Sequence, residues 1–170
     1  MKYMNWINIK LQEIANIFKD IDFTSLDGHF VVPVGEICEK LNINIIFADL
    51  PNGQSGYFEN NTIYVNDNYS ATRNLFTVAQ ELGHFIIKYK KNKIITKENR
   101  FDSKKEYTEE KLKEEREANS FAAELLMPAS IFKEKFLEFK ENYKKIAGFF
   151  GVSQSACEYR AINLGLADSI

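Results

Sequence analysis

At helical spacing Leu75, Val78, Ala79, Leu82 and Ile86 fall on one apolar face, and Phe76, Phe85 and Ile87 widen it toward the flanks. The pattern predicts a helix running through the core. Thr77, Gln80, Glu81 and His84 gather on its opposite side. Burying such groups unpaired costs roughly a few kcal/mol each, so hydrogen-bond or metal partners must meet them. A second helical stripe follows downstream in Leu112, Ala118, Ala122, Leu125 and Leu126. Glu115 falls inside that stripe, whereas Glu110 and Glu117 lie on its charged flank. An acid on an apolar face requires a cation, either Arg73 or a nearby Lys in a salt bridge or a metal ion.

The remaining pattern is mixed. Asn5 to Asp20 reads as an amphipathic packing helix that buries Ile7, Leu11, Ile14, Ala15 and Phe18. Asp22 to His29 reads as a loop around Asp27-Gly28, and Pro33 opens a short helix through Lys40. Asn44 to Asp49 reads as a strand. After the Pro51-Asn52-Gly53 turn, Ser55 to Glu59 and Thr62 to Val65 read as strands joined by a tight hairpin at Asn60-Asn61. These elements predict an α+β fold, a small antiparallel three-stranded sheet on the central helix. Lys88 to Lys111 is highly charged, with lysines crowding its first half. It reads as a solvated loop between the two motif helices, placed to act as a lid.

Beyond Pro128 the pattern gives a helix around Ile131 to Phe139, another over Tyr143 to Phe150, and a last one to Leu164 with Gly165 as its stop. Small residues at the crossing, Gly151 in the turn and Ser153 as N-cap give the last two a helix-turn-helix look. The division expected is a domain of residues 1–128 and a helical extension of residues 129–170 packed on it. The candidate recognition helix offers Gln154, Ser155, Glu158, Tyr159 and Arg160, only one of them basic. DNA affinity depends on neutralising phosphates, so direct nucleic-acid binding is not expected of this surface.

Composition narrows the class. A chain of 170 residues with 45% hydrophobic content can bury one sizeable core, and its net charge of -2 argues against a generally nucleic-acid-binding surface. Cys38 and Cys157 lack metal-ligand spacing and read as reduced core thiols of a cytoplasmic protein. Met1 to Ile14 has no signal-peptide run, and no stretch approaches a membrane span.

Gln80-Glu81-Leu82-Gly83-His84 is one residue from His-Glu-x-x-His, in which two imidazoles at i and i+4 hold zinc and the Glu takes a proton from the attacking water. Together with Glu115 to Pro128, ending in Leu-Leu-Met-Pro, the segment resembles the ImmA/IrrE family of bacterial and phage metallopeptidases. The resemblance covers roughly residues 33–165. It implies a zincin-like fold in which Glu81 is the general base, His84 the second zinc ligand and Glu115 the third. Glu114 and Glu117 are close neighbours in sequence, and the helical wheel favours Glu115. Gln80 stands where the first ligand belongs.

The family role implied is site-specific cleavage of a regulatory protein, a DNA-binding repressor of a prophage, an integrative element or a toxin-antitoxin-like operon. The departure at Gln80 leaves three readings: a pseudopeptidase that binds its partner without cutting it, a weakened zinc site completed by Gln80 or water, or an engineered change in a parent with His there. A neutral carboxamide oxygen is a poorer zinc ligand than imidazole. His29, the other histidine, reads as a solvated loop residue remote from the motif. Ile63-Tyr64-Val65 is expected to form the exposed sheet edge on which a substrate backbone adds as a strand.

Overall fold

The computed structural model describes residues 16, 25–26, 28–51, 53–90 and 108–168. In chain order the elements are β1 (Ser25–Leu26), β2 (His29–Phe30), α1 (Val34–Lys40), β3 (Asn44–Ala48), β4 (Gly56–Glu59) and β5 (Thr62–Asn66). The helices α2 (Ala71–Lys90), α3 (Glu109–Leu126), α4 (Ala129–Glu138), α5 (Tyr143–Phe150) and α6 (Gln154–Asn163) follow. The fold is α+β, as the patterning predicts. Of the amphipathic segment Asn5 to Asp20 only Asn16 is described, and it is helical; the rest of that expectation lies outside the described residues.

The hairpin forms where the sequence puts it. Asn60 and Asn61 both take positive φ, 49° and 56°, which a two-residue turn matched to strand twist requires and Asn tolerates. The sheet, however, is mixed rather than antiparallel. Its order is β3-β5-β4, with β5 antiparallel to β4 and parallel to β3. The connection over residues 49–55 carries the chain past the sheet, so β4 lies outermost and β5 returns between its neighbours. Ile63-Tyr64-Val65 is therefore the central strand, paired on both sides, and the expected role of this strand as an open edge is withdrawn. β3 and β4 are the edges among the described residues. The expected Asp22–His29 loop is also corrected: Ser25 and Leu26 pair with Phe30 and His29 on either side of Gly28.

One buried cluster runs from the sheet to the C-terminal helices. Ile63 and Val65 of β5 and Leu82 of α2 are fully buried in it, and so is Phe132 of α4. Ring contacts at 5.7 Å link Phe150 of α5 to both Phe30 and Phe132. Gly56 brings β4 onto α2: a Cβ there would sit 2.6 Å from Tyr64 O and 2.7 Å from Thr77 Cγ2, so only glycine fits. Cys38 and Cys157 are free and fully buried, and burial pushes each thiol up to about 12, which leaves them protonated and inert. No helix among the described residues is long and apolar enough to cross a membrane.

The C-terminal unit has the local chemistry of a helix-turn-helix. Gly151 caps α5 in the left-handed region, and Ser153 caps α6 by accepting from the Ala156 N–H. Arg160, the basic residue of α6, is buried: its Nε donates to Met127 O at 3.0 Å and its guanidinium pairs with Glu124 at the end of α3. Glu124 in turn accepts from the Ala129 N–H that starts α4. Burial alone would raise the Glu124 carboxyl, but the bonds from Arg160 and Ala129 outweigh it and hold the group below its ordinary value of 4.5.

Arg160→Met therefore leaves a buried carbonyl without its donor. Urea unfolding at pH 7 is expected to show a loss of about 1–3 kcal/mol. Because the Glu124 pKa is lowered by folding, its share of that difference is full above 4.5 and fades as pH falls below it. A loss independent of pH between neutrality and acid would show that packing alone, not the ion pair, carries the effect.

Candidate metal and active site

The site lies where α2 crosses α3. On α2, Gln80, Glu81 and His84 occupy one turn, with Thr77 one turn earlier and Lys88 one turn later. Thr77 returns its hydroxyl to Arg73 O at 3.0 Å, which satisfies it within the helix. Glu81 is 1% exposed and His84 3%. Gln80 is only half-buried. On α3, Thr108 caps the first turn by accepting from Lys111 N–H, and Glu114 and Glu115 are both buried on the side toward α2.

The crossing is close because Gly83 meets Ala118. A Cβ on Gly83 would stand 3.0 Å from Phe121 Cδ1, 3.1 Å from Ala118 O and 3.3 Å from Ala118 Cα. That approach brings the chemistry of the two helices together. His84 Nε2 is 3.5 Å from Glu115 Oε2, and the Gln80 amide nitrogen donates to the same oxygen at 3.2 Å. Lys111, one turn before Glu115 on α3, places its ammonium 3.7 Å from the other carboxylate oxygen, Oε1.

These distances allow a test of whether a zinc ion suits the residues. Two ligands held about 2.0–2.2 Å from a tetrahedral ion stand about 3.3–3.6 Å apart. The 3.5 Å between His84 Nε2 and Glu115 Oε2 matches that spacing. The third position is different. Gln80 turns its amide N–H toward the shared oxygen, and an N–H has no lone pair to offer a metal; only with the amide turned over would its carbonyl point there. Among the described residues no three His, Cys, Asp or Glu side chains form a metal-holding group. The site thus has two side chains at metal-ligand spacing and a hydrogen-bond donor beside them.

His84, Glu115 and Gln80, which the sequence nominates, converge here. Both cations offered for Glu115 find places: Arg73 lies over the Tyr69 ring at 4.4 Å, whereas Lys111 approaches the carboxylate. Reading Lys88 to Lys111 as a solvated loop misplaced its two ends. α2 continues through Lys88, which is 5% exposed, and Lys111 is already inside α3. The charge of Lys88 acts on Lys111, as do those of Glu81, Glu114 and Glu115, which gathers the five groups at one end of the crossing. Helical spacing carried the missed signal: Lys88 is i+4 from His84, and Lys111 is i−4 from Glu115. The lid suggested for that segment falls on residues 91–107, outside the described residues. His29 is not a bare loop residue, since it lies on β2 with Nδ1 3.0 Å from Gly148 O. It remains apart from the crossing.

The family described as Peptidase_M78, IrrE N-terminal-like domain, matches residues 38–161, well over half of the chain and inclusive of both motif helices. No curated protein matches.

Gly83→Val places branched carbons against the Ala118 backbone, which cannot retreat as a side-chain tip can. The expected result is an α2–α3 separation that parts His84 from Glu115, with a stability loss of about 1–3 kcal/mol in urea unfolding. Unchanged stability in that measurement would mean that the crossing accommodates bulk and is not what sets the spacing.

Proposed function

The chain belongs to the Peptidase_M78, IrrE N-terminal-like family, which is generally zinc-dependent, and from that premise we propose a regulatory protein-binding metallopeptidase with hydrolysis weakened or lost at Gln80. The observation that carries this reading is the meeting of His84 and Glu115 at ligand spacing with Gln80 beside them on the same oxygen. A bound zinc ion supplies Lewis acidity toward a scissile carbonyl and toward water. His84 and Glu115 are the side chains that would hold it. Glu81, next to Gln80 on the buried face of α2, would take the proton of an attacking water and return it to the leaving amine.

An extended peptide would add to β4, the edge strand that Gly56 presses against Thr77 one turn before Gln80 and Glu81. A DNA-binding repressor or similar regulator is the partner class proposed, on the resemblance to the ImmA/IrrE family. On α6 the guanidinium of Arg160 is engaged with Glu124 and Met127, so the face left for contacts is polar and aromatic, with Gln154, Ser155 and Tyr159 exposed. That surface suits a protein partner better than phosphates.

Replacing a ligand imidazole by a carboxamide should weaken the centre at least as much as the about 10–100-fold typical of losing a group that merely orients a ligand. Elemental analysis of the purified protein beside Gln80→His is the test. The variant is expected to carry zinc after dialysis against buffer while the parent carries much less. Zinc in neither protein would end the metallopeptidase reading.

A further inference from the structure

A buried carboxylate needs positive charge. Glu115 is 5% exposed, and removing an ion from water costs several kcal/mol after relaxation. A neutral amide donating to it, as Gln80 does, brings no charge. A cation at this carboxylate offsets that cost, and in an occupied zinc centre the metal would be such a cation.

We propose that Lys111 is the resident cation of this site: its ammonium holds the buried Glu115 carboxylate from Oε1 and so competes with divalent metal for it. The proposal deepens the weakened-centre reading and rests on it. Two observations converge. Lys111 lies one turn before Glu115, which puts its Nζ 3.7 Å from Oε1 while Oε2 faces Gln80 and His84. The pair is not an ordinary surface i,i+4 bridge worth a few tenths of a kcal/mol, because the Glu115 side chain is 6% exposed and that of Lys111 only 22%. The ammonium is thus drawn into the site at a desolvation cost that its carboxylate neighbours offset.

A divalent ion on Oε2 would stand within a few ångströms of this ammonium. Like charges so near repel strongly even at an effective dielectric constant of about 20. Gln80 and Lys111 then act in the same sense. One replaces a ligand by a donor to Glu115, and the other supplies the charge.

The test is metal affinity and metal-dependent stability in the full chain. Co²⁺ is titrated into the chelator-treated parent, Lys111→Met and Lys111→Arg, followed by its visible absorption, and thermal midpoints are taken in EDTA and in excess Zn²⁺. Lys111→Met is expected to bind Co²⁺ at least about tenfold more tightly than the parent, equivalent to about 1.4 kcal/mol. Its midpoint should fall in EDTA and be restored by Zn²⁺, while Lys111→Arg should track the parent. Equal or weaker Co²⁺ binding by Lys111→Met, or a stability loss that Zn²⁺ does not restore, overturns the proposal and makes Lys111 a packing or orienting residue.

The same comparison of Gln80→His with Gln80→His/Lys111→Gln covers the case in which Lys111→Met does not fold. The double variant is expected to bind Co²⁺ more tightly, and equal affinity counts against the proposal. Zinc uptake by Gln80→His together with no gain on removing Lys111 would defeat this inference alone. No uptake by either Gln80 form would defeat the metal reading beneath it.

Discussion

Everything chemical in this protein depends on how near α2 can come to α3. Gly83 has no side chain, Ala118 has one carbon, and the 3.0–3.3 Å contacts that a Cβ on Gly83 would make leave no slack. Small residues at a crossing let backbones approach more closely than the 8–10 Å usual for packed helices allows. The gain is positional. His84 follows Gly83 directly and Glu115 lies three residues before Ala118, so the tight point fixes both side chains within a turn of itself. Behind it, Leu82 and Leu126 are almost wholly buried and hold the pair against the sheet and the C-terminal helices.

That dependence explains what the sequence reveals and what it conceals. Periodicity marked α2 and α3 because each carries an apolar stripe that breaks at a polar residue, and the break was the site. Glu115 could be separated from Glu110 and Glu117 because only it falls within the stripe, though Glu114, buried beside it, shows that the wheel is coarser than one residue. The Asn60-Asn61 turn was legible because positive φ at two successive positions selects a short list of residues. Sheet order was not. Nothing in the alternation of Asn44 to Ala48 distinguishes a parallel from an antiparallel neighbour, since side chains alternate identically in both. The pairing of β3 with β5 is set by the connection over residues 49–55 and by what α2 covers.

The charged stretch after α2 was misread for a different reason. Composition averages over a window, and a window rich in Lys looks solvated. Lys88 and Lys111 sit at its two ends, where helical geometry rather than composition decides exposure, and each extends a buried face by one turn. Arg160 shows the same effect in the C-terminal unit. Read as a lone basic residue on a recognition helix, it is instead the link between α6 and the end of α3, joining Glu124, Met127 and, through Glu124, the start of α4. The two capped helices form as expected, yet the basic residue of α6 is directed inward.

The two departures at the crossing are best understood together. A zincin-like centre places a carboxylate in the interior because a divalent ion will neutralise it. When one ligand becomes Gln, the carboxylate remains and its need for charge remains with it. The amide of Gln80 turns its N–H to Glu115 because a donor stabilises a carboxylate where a carbonyl would repel it. The ammonium of Lys111 completes the neutralisation from the other oxygen. Removing one partner from a buried ion pair is strongly destabilising. On the proposed arrangement, the groups that neutralise Glu115 are the ones that oppose a metal, and Gln80→His would remove only one of them.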